Sequence, residues 1–186
     1  MAGSIIGFKD CPVIVCSVDN VCIAEAIITS HDKMHSIIEI SEILDNLENG
    51  TRLNILIVHK SGVSEYSGTL RYTHTKDQEI ALFNPQHRSA RGAPRHKLNS
   101  PATINSLVIE SGRKPFSPPL LITVANISRT GTLLKCPPGH FKIGSVLELH
   151  INIRGRDAIL YPAVVRECKD SEKLMGFGCK FLFPFE

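Results

Sequence analysis

Two short groups of polar residues have spacing suited to capturing a small anionic ligand. The first is Arg91-Gly92-Ala93-Pro94-Arg95, with Arg88 just upstream. Glycine and proline between the arginines disfavour a helix, so the two guanidinium groups sit on an extended or looped segment whose residue steps reach up to about 13 Å. The planar fork of arginine binds phosphate oxygens or the guanine O6/N7 edge in bidentate fashion, and its flat face stacks on a purine. The pair therefore suits a ligand with two separated anionic or guanine-bearing ends. The second group is Asn126-Ile127-Ser128-Arg129-Thr130-Gly131, where the strand-like run LLITVANIS passes into GTLLKC. On a strand, Asn126 and Ser128 share one face while Ile127 points to the core. Gly131 is expected to supply the permissive backbone for the turn and to let a ligand approach closely. Asn and Ser side chains can read a base edge or hold a phosphate.

Other chemistry is less well supported by residue type and spacing. Cys11, Cys16 and Cys22 with His31 and His35 offer zinc-ligand types. None of the cysteines forms a C-x2-C pair, so the expectation is core cysteines, surface histidines and no metal site. No nucleophile elbow, zincin helix or P-loop pattern occurs, and carboxylates such as Asp157 and Glu167 fit turns and solvated strand faces. A non-enzyme with no cofactor is expected.

The elements that position these residues read mainly as strands. Leu53 to His59 and Tyr66 to His74 suggest a hairpin. Ser41 to Asn49 opens with a capping residue, spaces Ile40, Leu44 and Leu47 at helical intervals and stops at Gly50, which predicts one short helix. Downstream, Leu147, Leu149, Ile151 and Ile153 share one strand face, expected to pack on a core, and Glu148, His150, Asn152 and Arg154 the other, expected to be wetted. With ATINSLVI, LLITVANIS, GTLLKC, AILYPAVVREC and MGFGCKFLF this gives about six strands, the pattern of a small antiparallel barrel. The stretch ESGRKPFSPP reads as a surface loop. The expected fold is mainly all-β: two small antiparallel barrels in tandem, with the short helix in the first. The domain boundaries are 1–85 for an N-terminal domain, 86–97 for an arginine-rich interdomain hinge and 98–186 for the C-terminal barrel.

Composition agrees with a folded, soluble chain. Of 186 residues, 42% are hydrophobic and 21% charged, which excludes intrinsic disorder. Apolar runs are too short for a spanning helix and no export signal is evident, so the expected location is cytoplasmic. A net charge of +3, 6% aromatics and no tryptophan argue against a nucleic-acid polymer as partner.

Arg91 and Arg95 as RxxxR, Asn126, Ser128 and Gly131 as [D/N]xSxxG, and the closing Gly178-Cys179-Lys180-Phe181 together resemble a PilZ domain over about residues 88 to 184. The resemblance implies a six-stranded barrel that serves as a bacterial receptor for cyclic di-GMP. Arg91 and Arg95 would then wrap over the ligand, with Asn126, Ser128 and Gly131 beneath it. Arg88, Arg129 and Gly178 are further candidates for contact. Residues Glu48 to Leu53, the strand pair to Tyr72 and Ile80 to Pro85 resemble the N-terminal split barrel of YcgR-like flagellar-brake proteins. That likeness implies that ligand binding at the hinge reorients the barrels toward a downstream protein, the flagellar motor being one candidate. A monomer and a homodimer both fit. The alternative is a degenerate PilZ scaffold that binds a protein partner and no nucleotide. Position 90 is alanine where many members carry another arginine. The spacing from Arg95 to Asn126 is longer than usual, with the excess placed in ESGRKPFSPP.

Overall fold

The computed structural model describes residues 7–59, 62–75, 77–83, 94–171 and 173–182. The first half supplies β1 (Pro12–Cys16), β2 (Cys22–Asp32), β3 (Ile37–Ile40), β4 (Arg52–His59), β5 (Gly62–Tyr72) and β6 (Gln78–Phe83), closed into a barrel in the order β1-β2-β3-β6-β5-β4. The second half supplies β7 (His96–Ile109), β8 (Gly112–Ser128), β9 (Gly131–Cys136), β10 (Val146–Ile153), β11 (Arg156–Leu160), β12 (Pro162–Lys169) and β13 (Met175–Phe181). These form a sheet in the order β11-β10-β12-β13-β9-β8-β7, and β10 also pairs with β7.

β11 and β12 lie against the same edge of β10 in one register: Leu149 faces Leu160 and Val146 faces Ala163. They act as a single strand interrupted at Tyr161, so the second barrel is a six-strand ring, as its alternating sequence implied. Leu147, Leu149, Ile151 and Ile153 all point into its core with no exposed surface. The all-β, two-barrel expectation is borne out. Among the described residues no helix is long and apolar enough to cross a membrane.

Three local expectations are corrected. Residues 41–50 form bends and turns rather than a helix. Their backbone groups bond outward: the Gln78 side chain accepts from Leu44 N–H (2.7 Å) and donates to Leu44 O (3.2 Å), and the Tyr72 hydroxyl donates to Leu47 O (2.9 Å). Asn46 adopts φ 62°, which interrupts any helix. The run 110–119 is the far end of the β7–β8 hairpin, with Lys114 facing Leu107 and Pro115 facing Ser106. Arg113 there reaches Glu148 (3.2 Å) and the Tyr161 hydroxyl (3.0 Å). Glu148 is consequently buried at 7% exposure, not on a wet face.

β1 and β4 are buried on both faces. Val13 and Val15 with Leu53, Ile55 and Ile57 pack inside the first barrel. Ile14 and Cys16 with Leu56 and Val58 join the core of the second. The two barrels thus meet through a shared apolar cluster, whose edge carries His96 and Glu65. Their side chains, 0% and 1% exposed, lie 3.1 Å apart from Nε2 to Oε1.

Candidate functional site

At the start of β7 the chain alternates exposed Arg95 with buried His96. His96 faces Ile127 and Lys97 faces Asn126 on β8, so continuation of this register brings Arg95 beside Ser128. β8 then turns tightly into β9. The Ser128 hydroxyl donates to Gly131 O (3.2 Å), and Thr130 N–H donates to Ser128 Oγ (3.4 Å). Ser128, only 4% exposed, therefore holds the turn together as well as lining the site.

Gly131 serves a purpose other than the one its place in a turn suggests. It is not among the positive-φ residues. A Cβ built on it would collide with Cys179 O on β13, so its small size lets the two paired strands come this close. This closeness matches the pairing of Gly131 with Lys180 and of Thr132 with Cys179.

The next wall comes from β12. A bulge between Val164 and Arg166 interrupts its pairing with β13, and Val165 is the extra residue. The bulge resets the alternation: Val164 is buried, while Val165 and Arg166 are both exposed. Arg166 lies across Gly178, where an added Cβ would meet its Nε at 2.6 Å and its Cγ at 2.7 Å.

These pieces enclose a cavity of about 260 Å³. Of the residues expected from the sequence, Arg95, Asn126, Ser128, Gly131 and Gly178 line it together. Arg129 is exposed and does not line it. Arg88 and Arg91 lie outside the described residues. The lining also includes Arg166, Lys180, Thr130 and Thr132, whose part in the site the sequence reading missed. Lys180 stood in the quoted closing motif without a role, whereas Arg166 left no signal because its direction depends on the bulge.

Among the described residues, three cations and no carboxylate line the cavity, with hydroxyl and amide groups between them. Among the described residues no ion pair engages Arg95, Arg166 or Lys180. Their field is therefore available to an anion, and the mixed donors and acceptors suit a polar ring edge. The Cys179 thiol in the wall is pushed up to about 12 by burial, with nearby Cys136 adding to the shift, which keeps it protonated and inert at neutral pH.

The zinc-type residues are engaged separately. His31 stacks on Phe8 and accepts its N–H at 3.1 Å, while His35 bonds Asp32 at 2.7 Å. Among the described residues no group of three or more metal-ligating side chains is assembled.

A family model described as PilZ domain matches residues 89–185. No curated protein matches the chain. Solved structures that resemble it include the K. pneumonia MrkH–c-di-GMP complex, at 16% identity, covering 95% of this chain and 80% of that one, with a TM-score of 0.39. The Bacillus subtilis inhibitor of motility MotI/DgrA follows at 15% identity, 95% and 88% coverage and 0.38. Escherichia coli YcgR in complex with c-di-GMP gives 8%, 93%, 76% and 0.36. At TM-scores this low the likenesses carry no part of the assignment.

Proposed function

Because the chain belongs to the PilZ domain family, matched over residues 89–185, we propose that it is a receptor for cyclic di-GMP and acts by binding rather than by catalysis. The observation that carries this reading is the cavity that unites Arg95 with Asn126, Ser128 and Gly131, and whose lining among the described residues holds cations and no acid. Arg91 and Arg95 grip the phosphates and guanine edges of the ligand, and Arg88 extends that reach. The β8–β9 turn forms the floor, and Arg166 and Lys180 face the ligand from the opposite wall.

Binding becomes a signal through the position of Arg95. Its neighbour His96 lies in the contact between the barrels, bonded to Glu65, so a ligand that closes the arginine segment acts directly on that junction. The shared apolar cluster opposes any rearrangement. Reorientation therefore requires that the ligand prefer one arrangement by more than the contact costs to break. On this reading residues 1–85 and 98–186 are the bodies that move, 86–97 is the hinge, and the output is a protein partner in the cytoplasm, with the flagellar motor as the candidate named by the YcgR-like resemblance.

Isothermal titration of the purified protein with cyclic di-GMP tests the receptor. Saturable heat is expected. Absence of binding would leave the family barrel as a scaffold for protein contacts.

A further inference from the structure

We propose that Cys16 and Cys22 form a reversible thiol–disulfide site at the end of the β1–β2 hairpin, oxidised by a low-molecular-weight disulfide. The two residues are direct partners across the antiparallel strands. Just beyond them, Ser17 N–H donates to Val21 O at 2.9 Å. The adjoining Cys16–Cys22 pair therefore occupies a position where, in a regular ladder, strands exchange no hydrogen bond and side chains come closest, here next to a bulge between Val15 and Cys16. A disulfide accepts Cα separations of about 4.4–6.8 Å. Directly opposed residues of paired strands fall within that reach.

The two thiols differ in the way such chemistry requires. Cys22 is half-buried and open to a small reagent, whereas Cys16 is fully buried in the core shared by the barrels. The Cys22 S–H donates to Ala24 O at 3.8 Å, and interaction with the Cys16 side chain holds the Cys22 thiol below its usual range. The same interaction, reinforced by burial, raises that of Cys16. Cys22 is thus the attacking group and Cys16 the resolving one. Cys136 and Cys179, both buried, face Met175 and Thr132 across the strands rather than another cysteine.

The reaction balances without any further component. The Cys22 thiolate attacks one sulfur of the small disulfide, RSSR, forming a mixed disulfide and expelling RS⁻. The Cys16 sulfur then displaces the second RS⁻ from Cys22, and the two protons lost by Cys22 and Cys16 pass through solvent to the two RS⁻. Two protein thiols and one RSSR become one protein disulfide and two RSH, with two electrons passing to the small molecule, and excess thiol reverses the exchange.

The location makes this more than a surface modification. The loop closed by the pair carries Asn20, whose carbonyl accepts Lys97 N–H at 3.1 Å, and Lys97 faces Asn126 in the cavity wall. Oxidation fastens the hairpin that joins the first barrel to β7, whatever ligand the cavity takes.

The full-length reduced protein is incubated with glutathione disulfide and its cysteines are mapped by mass spectrometry. Exposed Cys168 reports that the reagent reached the protein. The expected product is an internal Cys16–Cys22 bond that dithiothreitol reopens. In Cys16→Ser the reaction should stop with one glutathionyl group on Cys22. Wild-type protein whose Cys168 is modified while Cys16 and Cys22 remain thiols would overturn the proposal, as would Cys16→Ser protein with no adduct on Cys22.

Discussion

Arg166 and the two glycines of the site show what a single residue contributes. Gly131 and Gly178 both lack room for a side chain, but against different obstacles. At Gly131 the obstacle is the Cys179 carbonyl, part of the β13 backbone. At Gly178 it is the flexible Arg166 side chain, which can swing away. Gly131→Ala should therefore destabilise the fold by about 3 kcal/mol or more through overpacking, measured by urea denaturation. Gly178→Ala should leave stability nearly unchanged but weaken cyclic di-GMP binding about as much as Arg166→Ala, by roughly tenfold or more for a lost charged contact. Equal loss of stability in both glycine variants would contradict this division. The sequence made Asn126, Ser128 and Gly131 legible because they form a spaced motif. It hid Arg166, since only the bulge at Val165 turns that side chain outward, two residues after the inward-facing Val164.

Elements, in turn, were readable where one force dominated and misleading where long-range bonds did. The alternation of β10 was plain because Leu147, Leu149, Ile151 and Ile153 face one core. The segment 41–50 carries helix signals, yet Gln78 and Tyr72 on other strands take up its backbone groups. The proline-rich run 110–119 becomes strand because Arg113 anchors the β7–β8 hairpin over Glu148 and Tyr161. That anchor has a pH signature. Burial acts to raise the Glu148 pKa, but hydrogen bonds from Ser106 and His150 and the charge of Arg113 outweigh it, so the carboxyl sits below its ordinary range. A depressed folded-state pKa stabilises fully above the unfolded value of about 4.3, and the contribution is lost as pH falls through the folded value. Wild-type melting temperature should consequently fall more steeply than that of Glu148→Gln below about pH 4.5. Parallel curves would show that the hairpin does not depend on this carboxylate.

For the whole molecule, the main fact is that two barrels share one apolar cluster. β1 and β4 send alternate residues into different cores: Val13, Val15, Ile55 and Ile57 inward, Ile14, Cys16, Leu56 and Val58 toward the partner barrel. Strands buried on both faces read as continuous apolar runs, and PVIVC and LNILIVH are such runs. The two-barrel division was legible from strand count and from the basic connector. Their packing was not, because nothing in a run says which body covers its second face. Leu56→Ala should cost about 2–5 kcal/mol, and probes in both barrels should still report one coincident unfolding transition. Separate transitions would show that the barrels are energetically independent. A ligand at Arg95 acts next to that junction, which gives the arginine its central place. The most direct test is calorimetric titration of cyclic di-GMP into wild-type protein and Arg95→Ala. Loss of a charge-assisted contact of about 2 kcal/mol predicts roughly thirtyfold weaker binding in the variant. Equal affinity of the two proteins would contradict the placement of the ligand in this cavity.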